Sequence, residues 1–167
     1  MYNTVMKIEI IETNISDWKK FKSIRLESLR NEPVAFSSSL KEVEKYKDEY
    51  WKDMVLDRNN IILLAVVDDL CVGIIRSALK DEDVDEKTAF IGSLYVNFDY
   101  RRMGIGKMLM NELIAKIKNR SEVSAVRLWV NHKQYSAIQL YLSLGFLEIG
   151  EIGIGDDKEL IIEKNIL

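Results

Sequence analysis

The sequence predicts an α+β fold on a mixed sheet of about seven strands, and three observations carry that reading. Ala89 to Val96 is an unbroken run of apolar, aromatic and small residues, as a strand buried on both faces would be. After Asn97-Phe98-Asp99-Tyr100 and a loop holding Arg101, Arg102, Gly104 and Gly106, the period changes. Ile105, Leu109, Leu113 and Ile117 then recur every four residues, one stripe of an amphipathic helix ending near Arg120. Ala125 to Val130, rich in Val, Leu and Trp, is the next strand. A crossover helix joins the two strands, so they should run parallel.

The other elements follow in order. Thr4 to Glu12 alternates loosely enough to be an edge strand. Asn14 or Ser16 offers an N-cap to a helix carrying Trp18, Phe21, Ile24 or Arg25, and Leu29 on its stripe, to about Arg30. Pro33, the only proline, stops it, and a loop spans Asn31 to Ser39. A second helix is predicted from about Leu40 to Asp57, with Val43, Tyr46, Tyr50 and Met54 on one side. Ile61 to Val67 and Leu70 to Leu79 form a hairpin closed by Asp68-Asp69. Asp81 to Glu86 is an acidic loop. A helix from near Gln134 places Ala137, Leu140, Tyr141 and Leu144 at helical spacing, with Gly145 as its stop. Phe146 to Ile154 and Glu159 to Ile166 are the last strands, around Gly155-Asp156-Asp157.

Composition narrows the function classes. The 167 residues suit one domain, and 47% hydrophobic with 31% charged residues is ordinary for a soluble globular chain. The longest apolar run, Ile61 to Val67, is far short of a membrane span, and Met1-Tyr2-Asn3-Thr4 lacks the regions of a signal peptide. A net charge of −3 argues against nucleic acid, and one cysteine excludes an internal disulfide, so a cytoplasmic protein is expected. No metal cluster is predicted. A homodimer is compatible with the sequence, but nothing in it fixes the surface.

The strand-loop-helix centre has a chemistry of its own. N–H groups in the first turn of a helix lack internal partners, and the macrodipole adds partial positive charge there. With two glycines removing Cβ bulk, the turn suits a phosphate. It is neither G-x-x-x-x-G-K-[ST], since Met108 follows Lys107, nor G-x-G-x-x-G, since position 109 is leucine.

Two segments together resemble the GNAT superfamily of acetyl-CoA-dependent N-acetyltransferases. Leu94-Tyr95-Val96 followed by Arg101-Arg102-Met103-Gly104-Ile105-Gly106 is similar to the family's [QR]-x-x-G-x-[GA] pyrophosphate loop. Ala137-Ile138-Gln139-Leu140-Tyr141-Leu142-Ser143-Leu144-Gly145-Phe146 is similar to its A-x-x-L-Y-x-x-x-G-F. The resemblance implies helices on both sheet faces and a V-shaped splay between strands 4 and 5 that receives acetyl-CoA. It implies that the backbone of Leu94, Tyr95 and Val96 pairs with pantetheine. The main chain from Arg101 through Met103, Gly104, Ile105 and Gly106 to Lys107 would hold the pyrophosphate, helped by the side chain of Arg101 or Arg102. Family members commonly carry asparagine three residues before the alanine; here that position is Gln134, with Asn131 nearby as a lesser candidate.

Tyr141 is the implied general acid. A phenol with a pKa of about 10 is protonated at neutral pH and can donate to a departing thiolate. A strand N–H near Leu94 to Val96 would hold the oxyanion. The base is open between Glu32, a water chain and bulk exchange, with His132 as a weaker choice, and Cys71 is expected to be a core thiol. Strand direction sets the Asp81–Glu86 loop at the sheet end opposite the glycine loop. Asn31–Ser39, Asp68-Asp69 and Gly155-Asp156-Asp157 are expected at the acetyl end, where Glu32, Asp156 and Asp157 would attract a small-molecule or peptide amine and Phe36 would cover its apolar part. The rival readings are a non-catalytic acyl-CoA sensor and a cradle for another nucleotide.

Overall fold

Residues 6–167 are described by a computed structural model. The first strand, β1, spans Ile8–Glu12; the predicted start at Thr4 lies outside the described residues. Asn14 accepts from the Ser16 amide at 2.8 Å, and the Asp17 carboxylate accepts from the Asn14 amide at 3.0 Å, a reciprocal box on the 3-10 turn Ile15–Asp17 that leads into α1, Trp18–Asn31. Pro33 then opens a single 3-10 turn, Pro33–Ala35.

The helix expected over Leu40–Asp57 is two: α2, Leu40–Val43, and α3, Asp48–Leu56. The break falls at Glu44–Lys47; Val43 before it and Trp51 after it are both buried, and Trp51 packs edge-on against Phe21 at 5.3 Å. Tyr46 and Tyr50, predicted on the inner stripe, pack against each other as a tilted pair at the surface instead.

Strands β2, Asn60–Val67, and β3, Leu70–Ala78, form the predicted hairpin. Asp68 and Asp69 both take positive φ, 46° and 70°, which matches the right-handed twist of the pair without glycine. The central strand is β4, Thr88–Val96; α4, Ile105–Arg120, crosses to β5, Ala125–Asn131, which runs parallel to β4. The chain ends with α5, Tyr135–Ser143, β6, Leu147–Ile152, and β7, Glu159–Asn165. Sheet order is β1-β2-β3-β4-β5-β7-β6, so the last strand slips between β5 and β6.

Helices cover both faces. The stripe Ile105, Leu109, Leu113 and Ile117 of α4 is buried in one core, which Tyr141 and Phe146 join. Phe21, Ile24, Leu29 and Trp51 of α1 and α3 form the other core with Ile62, Leu64 and Ile74. Among the described residues no helix is long and apolar enough to cross a membrane.

Candidate active site

The site begins where β4 and β5 part. They pair only at Thr88 with Ala125, Ala89 with Val126 and Phe90 with Arg127. From Ile91 onward the β5-facing edge of β4 has no strand partner. A bulge sits at the same place. Arg76 stands opposite Gly92, yet Ile74 stands opposite Tyr95, and Ser93 takes φ +60°. The extra residue shifts the side-chain alternation by one. Ala89 and Ile91 pack in the α4 core before it, Leu94 and Val96 after it, and Tyr95 turns into the α1 core. The Asn97 amide donates to Val72 on β3 at 2.7 Å, so alternation directs the neighbouring Val96 amide into the gap.

Side chains fasten this strand end to α1. Glu27 Oε1 accepts from the Tyr95 hydroxyl at 2.9 Å and from Asn97 Nδ2 at 2.6 Å, while Asn31 Nδ2 donates to the Tyr95 oxygen at 2.9 Å. Arg101 continues the clasp: Nε donates to the Val96 carbonyl at 2.9 Å and the guanidinium pairs with Glu32 at 2.6 Å.

A cleft of about 1380 Å³ follows the splay through the sheet. Leu94, Tyr95, Val96, Arg101, Arg102, Gly104, Ile105, Gly106, Lys107, Gln134, Ala137, Tyr141, Glu32 and Phe36 all line it. Met103 and Asn131 do not. Asn131 is buried, donating to the Asp156 carbonyl at 2.9 Å and accepting from the Lys133 amide at 2.9 Å. His132 and Cys71 also lie outside the lining, and burial pushes the Cys71 thiol up to about 11. Neither Asp68-Asp69 nor Asp156-Asp157 reaches the cleft, and Asp156 is paired with Lys133 at 2.5 Å. Asp83 does reach it, so the acidic loop, expected clear of the site, contributes to its wall.

The turn into α4 is bare. Among the described residues no protein carbonyl accepts from the amides of Arg102 through Lys107; the first bond is Met108 to Gly104, 3.0 Å. The two glycines do different work. Gly104 has φ +79°, and a Cβ there would meet nothing within 4 Å, so open space lies beside it. A Cβ on Gly106 would come within 3.2 Å of Leu140, so this glycine lets α4 and α5 approach. Arg102 finds no acidic partner among the described residues, unlike Arg101.

Tyr141 comes from α5 and packs against Phe146 with ring centroids 5.9 Å apart. It is 7% exposed, lines the cleft, and no described residue hydrogen-bonds its hydroxyl. Burial pushes the phenol well above its ordinary value, so it stays protonated.

Arg25, Arg76, Phe90, Trp129 and Glu159 are among the lining residues that were not singled out from the sequence as site residues. Arginine inside an apolar stripe or strand was the available signal for the first two. Glu159 opens β7, makes no ion pair among the described residues, and burial raises its carboxyl above the usual range.

Comparison with known proteins agrees with this geometry. Residues 23–146 match the sequence profile of the Acetyltransferase (GNAT) family. The chain belongs to that family. It is 30% identical over 101 residues to N-alpha-acetyltransferase 50 of Danio rerio, covering 60% of this chain and 59% of that protein. It is 40% identical over 71 residues to the [ribosomal protein bS18]-alanine N-acetyltransferase of Escherichia coli K12, covering 42% of this chain and 46% of that one. The matched stretches thus span roughly half the length of these relatives. The fold is shared with PaiA N-acetyltransferase from Thermoplasma acidophilum, solved with coenzyme A, at TM-score 0.75 and 23% identity over 96% of this chain and 99% of that one.

Proposed function

We propose that this protein transfers an acetyl group from acetyl-CoA to a primary amine by direct attack with both substrates bound. The observation that supports this most is the run of unspent amides from Arg102 to Lys107, opening on the same cleft as the Tyr141 phenol. The residues fit the donor. Open space beside Gly104, with Arg102 and Lys107 in the wall, suits a diphosphate, and the unpaired edge of β4 suits an amide-bearing pantetheine arm.

Acetyl-CoA supplies a thioester carbonyl and a thiolate leaving group. The Val96 amide, directed into the gap, donates to the carbonyl oxygen as negative charge grows on it. An acceptor ammonium with a pKa of about 10.4 must lose a proton before its nitrogen can form the new C–N bond. Glu159 takes that proton: of the three carboxylates lining the cleft, Glu32 is tied to Arg101 and Asp83 is exposed on the acidic loop, whereas Glu159 is partly buried on β7 with no cation partner among the described residues. Tyr141 donates a hydrogen bond to the sulfur as the C–S bond breaks. Full transfer from a phenol above 10 to a thiolate near 8.5 is uphill, so the phenol gives its proton to sulfur only as it regains one, the second proton that the acylated nitrogen sheds. The products are an N-acetyl amide and the free thiol.

The acceptor is a small-molecule or peptide amine, the second kind in keeping with the name of the bS18-alanine relative. Cys71, a free thiol, suits a reducing compartment such as the cytoplasm. Thiol release with acetyl-CoA and an amine panel tests the reading. Tyr141→Phe should lower kcat by about 100-fold or more while the acetyl-CoA-induced rise in Tm is kept. A protein that binds acetyl-CoA but releases no thiol with any amine is an acyl-CoA sensor, and the proposal falls.

A further inference from the structure

Two guanidiniums line the cleft on its α1 side with no carboxylate to answer them. Arg25, from α1, lies over the Phe36 ring at 4.5 Å and reaches only the Ser28 hydroxyl, at 3.4 Å. Arg76, from β3, lies over Phe90 at 5.9 Å and donates to Asn60 Oδ1 at 2.9 Å. Among the described residues the arginines that find acidic partners are Arg101, Arg120 and Arg127. Burial lowers Arg25 to about 10, and repulsion from Arg76 adds to it. Burial also lowers Arg76; Tyr50, Asp81 and Asp57 act on it only through space. Two like charges drawn largely out of water cost free energy that the Asn60 and Ser28 contacts and the charges acting through space return only in part. A bound anion would return it, and planar guanidinium forks are suited to carboxylate and phosphate oxygens.

We infer that the acceptor carries its own anion, a carboxylate or phosphate on the same molecule as the amine, received by Arg25 and Arg76. This rests on the acetyl-transfer reading and narrows its acceptor. The rest of the cleft is arranged for such a molecule. Phe90 and Trp129, 5.6 Å apart, offer an apolar wall for its stem, and Glu159 and Asp83 supply negative charge for its ammonium. Of the carboxylates earlier expected to draw in a cation, Glu32 is spent on Arg101, Asp156 is paired with Lys133, and Asp157 does not line the cleft.

Matched acceptors test it on the full chain: α-amino acids against their carboxamides, and phosphoethanolamine against ethanolamine, read by thiol release. The anionic member of at least one pair should have a KM about 10-fold lower or better, and that pair identifies the anion. Arg25→Gln and Arg76→Gln should each erase the preference without changing the KM for acetyl-CoA. Arg76→Lys, which keeps the charge and loses the fork, should retain part of it. Equal KM values within both pairs overturn the inference, as does a preference that survives both glutamine variants. If no amine is acetylated, calorimetry on protein preloaded with CoA separates the two claims. Preferential binding of the anionic member, lost in Arg76→Gln, sustains the anion site while the acetyl-transfer reading fails; equal or absent binding overturns the site.

Discussion

Glu159 is a carboxylate held half out of water with no cation beside it, and both of its properties should be measurable. Burial raises its pKa, so the protonated form persists above the usual value of about 4.3. If it is the base, kcat/KM falls as pH drops through that raised value, and Glu159→Gln removes this limb. Linkage has the opposite sign. A carboxyl whose folded pKa is raised contributes stability that is present below the unfolded pKa and lost as pH rises through the folded one. The variant should therefore be at least as stable as the wild type at pH 7 while losing rate, read by urea melts beside pH–rate profiles. Residues of this kind were hard to see in the sequence. Tyr141 stood in a ten-residue pattern, whereas Glu159 is one of 27 acidic residues and is a candidate only because β7 inserts beside β5 and brings it to the cleft.

At the scale of elements, periodicity carried the helix stripes, the hairpin and the parallel crossover. It failed where a register had to break. The Leu40–Asp57 pattern reads as one helix because each half is amphipathic, and the break at Glu44–Lys47 carries neither glycine nor proline to mark it. The β4 bulge leaves no sequence mark either, since Ser93 is an unremarkable strand residue holding φ +60°. The glycine turn was legible as a bare strand-to-helix turn, but not the separate surroundings of its two glycines. Gly104→Ala meets no steric obstacle, so its cost is conformational, about 1–2 kcal/mol for a left-handed backbone. Its Tm should fall by several degrees and its KM for acetyl-CoA rise, with Gly104→Asn milder on both counts. Gly106→Ala presses instead on the end of a flexible leucine, and its smaller effect should appear mainly in stability.

Across the whole molecule, the sheet is closed at one edge by charge. Glu12 of β1 takes both guanidinium nitrogens of Arg120, at 2.5 and 2.6 Å, with Lys116 at 3.2 Å, tying the edge strand to the end of α4. Burial pushes this carboxyl up, but the bonds from Arg120 and Lys116 outweigh it and leave it below its ordinary value. Its contribution is then present above the unfolded pKa and lost as pH falls through the folded one. Glu12→Gln should cost about 1 kcal/mol at pH 7 and converge with the wild type in strong acid, checked by denaturant melts at both pH values. On the opposite half of the sheet, β4 and β5 are left unzipped past Phe90. The account rests on that opening being shaped for a tethered thioester. A crystal structure of the protein with acetyl-CoA measures it directly: diphosphate oxygens should lie within about 3 Å of amides between Arg102 and Lys107, with the sulfur beside the Tyr141 hydroxyl. A diphosphate bound away from that turn, or a sulfur out of reach of the phenol, would contradict the account.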